Sequence, residues 1–229
     1  MIQKIDDGYI TNINKPEDWT SFDVVKKIRG ITRIKKVGHA GTLDPFATGV
    51  LLICLGKGTK KVPELMNLRK EYEGVLTLGQ TTDTLDPTGK IVAEKPVPAL
   101  HEQQILTVFK QLTGSIQQKI PAFSAAKISG KRSYALARKG LAIPDRYKTV
   151  EIYDIRLLNY LPERIHFCVE CGQGTYIRSL GYDIAHKLGT TGYLVKLIRN
   201  RIGKYCIEQS LTLDEFEQQW KKETRYENN

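Results

Sequence analysis

The chain has little cysteine, no long apolar run and a shortage of acid. Its four cysteines are Cys54, Cys168, Cys171 and Cys206, and the amino terminus MIQKIDDGYI lacks the apolar core of an export signal, so free thiols in a reducing cytoplasm are expected. The one CxxC, Cys168-Val-Glu-Cys171, lies where Ile165, Phe167, Val169 and Cys171 alternate with His166, Cys168 and Glu170. On such a strand the two thiols fall on opposite faces, and no second pair completes a tetrahedral set, so no metal is expected. The longest wholly apolar stretch, Val50 to Leu55, is far too short to cross a bilayer. Gly56-Lys57-Gly58-Thr59-Lys60 lacks the upstream glycine and the GK[ST] ending of a phosphate-binding loop, which argues against ATP. There are no internal repeats and no low-complexity linker.

What is present is positive charge. Lysine and arginine number 35 against 25 acidic residues, a net charge of +10 with a pI near 9.3. A surplus of that size favours a polyanionic partner, since each cation placed on a phosphate releases counterions. Charge alone does not choose RNA over DNA. The length of 229 residues suits one large domain, or one domain with a small appendage.

Tyr9 to Ile13 reads as a first strand. Thr20 or Ser21 then caps a helix with Val24, Val25, Ile28 and Ile31 at helical spacing. Lys26, Lys27, Arg29, Arg33, Lys35 and Lys36 form a basic cluster that is either a solvated helix face or a nucleic-acid contact. Next comes VGHAGTLDPFATGVLLICLG, a loop dense in small residues running into a buried strand. Pro45 fixes its own φ and keeps Asp44 out of the helical region, so a carboxylate sits on a stiff loop braced by a core strand. A short helix is expected near Val62 to Met66, and a strand follows at Lys70 to Gly79, with Tyr72, Leu76 and Leu78 on one face. TTDTLDPTGK reads as a polar loop with Asp83 and Asp86 solvated. Leu100 to Leu112 is an amphipathic helix, with Ile105, Leu106, Val108, Phe109 and Leu112 inward and Gly114 as its stop. The run from Gln117 to Gly140 mixes cations, small residues and aromatics, as expected of a loop and short helix that grip folded RNA. Strands at Val150 to Leu158 and Arg164 to Cys171 precede a glycine turn and a helix, and Thr212-Leu213-Asp214-Glu215 caps a last helix whose tail, KKETRYENN, should fray.

Five strings carry a resemblance. Gly38-His39-Ala40-Gly41-Thr42-Leu43-Asp44-Pro45 with Ala47-Thr48-Gly49-Val50-Leu51 resembles the signature of the TruB family of tRNA pseudouridine synthases. Lys15-Pro16 with Thr20-Ser21, Lys70-Glu71-Tyr72, Gly174-Thr175-Tyr176-Ile177-Arg178-Ser179-Leu180 and Leu194 to Gly203 resemble further motifs in the same order. Asp18 stands where the family usually has glycine, and Asn200 where it has threonine.

The resemblance implies a single catalytic domain of the α+β class with the pseudouridine-synthase fold, a mixed, mainly antiparallel sheet flanked by helices, with an inserted RNA-clamping thumb near 117–147 and no separate C-terminal module. It implies isomerisation of uridine to pseudouridine at position 55 in the tRNA T-loop, without cofactor or metal, in a cytoplasmic monomer that engages tRNA and no membrane. Asp44 would be the catalytic carboxylate, with Arg178 and Tyr72. Tyr72 and Leu197 would hold the base and Tyr176 would add a contact. His39 would fill the space of the extruded nucleotide, Lys15 would line the site, and Lys127, Lys131, Arg132 and Arg138 would grip RNA. Two alternatives stand beside it: a non-catalytic tRNA-folding factor, and a subunit of a guide-dependent ribonucleoprotein.

Overall fold

A computed structural model describes residues 2–5, 8–124, 127–128, 131–133 and 143–226. It resolves into two compact units, one of residues 1–72 and 197–229, the other of residues 73–196.

The first unit opens with β1 (Ile2–Ile5) and β2 (Gly8–Lys15), followed by α1 (Ser21–Thr32), β3 (Val37–His39), β4 (Thr48–Gly56) and α2 (Val62–Asn67). Helix α1 starts where the sequence predicts: the Thr20 side chain accepts from the Asp23 N–H while Asp23 accepts from the Thr20 N–H. That reciprocal pair satisfies two backbone donors that a helix start otherwise leaves open. Strand β4 is central, antiparallel to β2 and β3. Its residues Leu51, Ile53 and Leu55 pack with Ile13, Val24, Val25 and Ile28, whereas Val50, Leu52 and Cys54 pack with Ile10, Ala40, Leu65 and Ile202. A strand covered on both faces has no solvent side, which is why its sequence is apolar without alternation. Each such residue contributes about 1.5–3 kcal/mol of burial.

Strand β5 (Lys70–Leu78) carries the chain into the second unit. There follow β6 (Gln80–Thr82), β7 (Ile91–Glu94), α3 (Glu102–Gln111), β8 (Gly114–Lys119), β9 (Lys127–Ile128), β10 (Lys131–Arg132), β11 (Tyr147–Leu161), β12 (Arg164–Cys171) and α4 (Ile177–Lys187). The strand order is β5-β12-β11-β8, and both β11 pairings are antiparallel. Phe109 of α3 meets Phe167 of β12 with ring centroids 6.2 Å apart. Gly74 lies beneath Phe167, where an added Cβ would sit 3.0 Å from the ring.

The chain returns through β13 (Gly192–Ile202), β14 (Tyr205–Cys206) and α5 (Leu213–Tyr226). Strand β13 joins β4 in parallel, the feature that makes the sheet mixed. Thr212 and Glu215 form the expected capping box, and Phe216 and Trp220 of α5 enter the core with β2 and α1. Among the described residues no helix is long and apolar enough to cross a membrane.

Several expectations are corrected. Residues 117–119 are strand β8, because their backbone pairs with β11 although their side chains are polar. The 80–94 stretch holds a two-stranded hairpin, β6 with β7. Leu106 is exposed, at the edge of the α3 face that buries Ile105 and Phe109. Helix α5 runs to Tyr226, well into the tail expected to fray.

Candidate functional site

Asp44 follows β3 and precedes β4, half-buried, in a loop held by backbone and by two neighbours in the first unit. The Ala47 N–H donates to the Asp44 carbonyl at 3.1 Å, closing the turn around Pro45. Ser21, the first residue of α1, accepts from the Leu43 N–H at 2.9 Å and donates to the Leu43 carbonyl at 3.2 Å, so the helix start is latched to the residue before Asp44. Across the loop, the Asp18 N–H donates to the Pro45 carbonyl at 2.9 Å. Asp18 has φ 62°, the left-handed region, so it keeps the backbone course that glycine would take; aspartate is among the few residues that visit it.

Lys15 is fully buried. Its ammonium donates to the carbonyls of Pro16 at 2.7 Å, Trp19 at 2.6 Å and Pro45 at 3.0 Å. Three donors meet three acceptors, so this lysine stitches β2 and the segment after it to the Asp44 loop. Burial pushes its pKa down to about 8, and the nearby Asp44 carboxylate pulls it partly back up. The unfolded chain titrates near the ordinary 10.5 and binds the extra proton between the two values, so this group makes stability rise with pH from about 8 to 10.5. Lys15→Met takes a donor from three carbonyls, of which Pro45 keeps the Asp18 N–H, and is expected to cost about 1–3 kcal/mol at neutral pH. Urea melts across pH should show the wild-type advantage flat below pH 7 and growing above 8; a shrinking advantage would overturn this account.

Arg199 of β13 lies in the Leu194 to Gly203 string, yet nothing in the sequence singles it out as a residue that holds the Asp44 loop. It is 1% exposed. Its Nε donates to the Val50 carbonyl at 2.7 Å, Nη2 to Gly41 at 3.1 Å, and Nη1 to Thr42 at 3.5 Å and to the Tyr72 hydroxyl at 3.4 Å. One guanidinium thus ties both ends of the Asp44 loop to Tyr72. Gly49 makes the approach possible: its φ is 103°, and a Cβ there would lie 2.3 Å from the Arg199 carbonyl oxygen. Tyr72 is buried on β5, Leu197 is buried on β13, and His39 ends β3 half-buried opposite Ile53. Asp44, Lys15, His39, Tyr72, Leu197 and Arg199 all belong to the first unit.

Arg178 and Tyr176 belong to the second. Tyr176 caps α4, and Gln118 clamps its backbone, donating to its carbonyl at 3.0 Å and accepting its N–H at 2.8 Å. The Lys148 ammonium lies 4.1 Å from the centre of the Tyr176 ring. Arg178 is 3% exposed and donates to the carbonyls of Thr84 at 2.6 Å and Phe123 at 2.9 Å. Asp86 Oδ2 pairs with it at 3.4 Å. The other oxygen of Asp86 accepts from the Thr84 hydroxyl and from both the N–H and hydroxyl of Thr88. Asp86 is therefore not the solvated loop carboxylate expected; the 83–89 turn folds inward and makes it the counter-ion that orients Arg178. The threonines spaced around it, Thr82, Thr84 and Thr88, are the sequence signal that could have found it.

His166 faces Glu73 at 2.8 Å, and Arg156 donates to Cys168 Sγ at 3.3 Å. Among the described residues no group of histidine, cysteine and carboxylate is placed to hold a metal. In the thumb segment, β9 and β10 pair through Lys131 with Ile128 and Arg132 with Lys127. The side chains of Lys127, Lys131 and Arg132, and the whole of Arg138, lie outside the described residues.

Known proteins share this arrangement of elements. A relative called tRNA pseudouridine synthase B, from Clostridium tetani, is 45% identical over 210 residues, covering 92% of this chain and 73% of that protein. The Parabacteroides distasonis protein of the same name is 42% identical and covers 92% of each. Among solved structures, a Cbf5-Nop10-Gar1 complex matches with a TM-score of 0.71 at 29% identity; the match covers 94% of this chain and 56% of that one. The fold is therefore the α+β pseudouridine-synthase fold. Residues 29–177 match the profile described as TruB family pseudouridylate synthase (N terminal domain), and the chain belongs to that family.

Proposed function

We propose that this protein isomerises uridine to pseudouridine at position 55 in the T-loop of tRNA, acting on free tRNA as a cytoplasmic monomer with Asp44 as the catalytic carboxylate. The observation that carries the reading is the Asp44 loop, where Ser21, Lys15 and Arg199 fix a partly accessible carboxylate on rigid elements. Preorganisation of this kind is what a reaction needs when no cofactor supplies the chemistry. The reaction breaks the N1–C1′ bond and forms C5–C1′; C5 gives up its proton to solvent and N1 gains one, so no electrons are exchanged.

The base must leave its stack, at a cost of a few kcal/mol that aromatic and apolar contacts offset. Tyr72 and Leu197 take that role in this proposal, Tyr176 adds a contact and His39 occupies the vacated space. Lys15 acts on substrate through the loop it stitches. Arg178, braced by Asp86, is the second catalytic candidate, and the thumb cations Lys127, Lys131, Arg132 and Arg138 engage the T-stem.

Because C5 loses its hydrogen, tRNA tritiated at C5 of uridine should release tritium to solvent, one per molecule at completion. No release from a bare tRNA transcript would sink the proposal and favour a binding factor. Release only in the presence of guide RNA and partner proteins would favour the ribonucleoprotein reading, which the likeness to the Cbf5-Nop10-Gar1 complex keeps specific.

A further inference from the structure

Helix α1 carries a ridge that the site does not use. Phe22, Lys26, Arg29 and Arg33 follow one another at spacings of four, three and four, so they line one side of the helix. All four are exposed, Phe22 by 62%. Lys35 and Lys36 extend the charge beyond the helix end. Asp23, the one acid in α1, is spent on the cap. Among the described residues no hydrogen bond or ion pair tethers the side chains of Arg29, Arg33, Lys35 or Lys36. Like charges at these spacings cost a helix about 0.2–0.5 kcal/mol per pair. Arg33 adds a second cost, since it occupies the left-handed C-cap position, φ 60°, that backbone sterics favour for glycine. The helix dipole rewards cations only in the last turn and does not account for Lys26.

We infer that this ridge is a second RNA-contact surface, gripping the phosphate backbone of the same tRNA whose uridine is presented to Asp44. The inference rests on the tRNA reading above and adds a contact outside the Asp44 loop and the thumb. Continuity supports it: α1 begins at Ser21, bonded to Leu43 beside Asp44, and the ridge runs roughly 16 Å from there at 1.5 Å per residue. An RNA strand leaving the Asp44 loop along α1 would lay successive phosphates over three cations, with the Phe22 ring beside the first nucleotides to stack on a base. A second copy of the chain is a poor occupant, because each copy carries a charge of +10. One phenyl ring is too little apolar surface for membrane insertion.

The test is Lys26→Gln/Arg29→Gln/Arg33→Gln, with Lys90→Gln/Lys95→Gln/Lys110→Gln as an equal loss of charge elsewhere. With tRNA transcript, the ridge variant should keep its kcat, raise KM about tenfold or more, and flatten the log KM against log salt slope by about 2–3. Phe22→Ala should raise KM without changing the slope. Unchanged KM and slope in the ridge variant would overturn the inference, as would an equal effect in the control. Unchanged tRNA kinetics together with cosedimentation on phosphatidylserine vesicles would reassign the ridge to a membrane and overturn it too. Absence of turnover in the wild type would instead remove the functional proposal.

Discussion

Asp44→Asn is expected to abolish tritium release from C5-labelled tRNA, by at least about 10⁴-fold, which is about 5.5 kcal/mol of lost transition-state stabilisation. Affinity for tRNA should stay within roughly tenfold, about 1.4 kcal/mol. The two expectations separate because the amide keeps the shape of the carboxylate and loses its charge. A neutral amide can neither attack carbon nor take a proton at neutral pH. The bonds that shape the loop come from the Asp44 carbonyl, the Leu43 backbone and the Pro45 carbonyl, none of which the substitution touches. Filter binding and single-turnover release, measured on the same preparation, check both halves. Turnover within tenfold of wild type would remove Asp44 from the chemistry, and affinity lost in step with turnover would make it a binding residue.

The sequence makes some of this arrangement plain and hides the rest for a definite reason. Helix α1 and strand β5 are legible because one-sided burial imposes a period on their apolar residues, strand β4 because burial on both faces makes it one apolar run, and the Asp44 string because so many consecutive positions agree. The buried charges are not. Lys15, Lys70, Asp86, Arg178 and Arg199 are all nearly inaccessible, although lysine, arginine and aspartate are ordinarily surface residues. Their partners are distant: Arg199 bonds to residues more than 120 positions away, and Arg178 to Thr84 across 94. No local pattern encodes such a pairing. Gln118 makes the same point, because a glutamine in a polar run gives no hint that it is buried and clamps Tyr176. The net charge misleads in a related way, since among the described residues four cations lie inside and are bonded to backbone carbonyls.

Arg199 shows what a buried cation of this kind contributes, and its removal should have the largest effect on stability. Arg199→Met withdraws donors from the carbonyls of Val50, Gly41 and Thr42 and from the Tyr72 hydroxyl, in a place where water does not replace them. A buried acceptor left without its donor costs about 1–3 kcal/mol, so losing several at once should cost several kcal/mol, and a domain of this size should lose about 2–4 °C in Tm for each kcal/mol. Arg199→Lys separates charge from geometry. A lysine keeps the charge but has one nitrogen on a flexible stem, so it cannot reach along the loop as the planar fork does. If the fork is what matters, the lysine variant loses most of the same stability and its kcat falls with it, because both ends of the Asp44 loop and Tyr72 lose their common anchor. If charge alone is needed, Arg199→Lys melts near wild type and turns over normally, and the anchoring role given to this arginine fails. Calorimetric Tm together with single-turnover release distinguishes the two, and the fork geometry, with four acceptors on three nitrogens, favours the first.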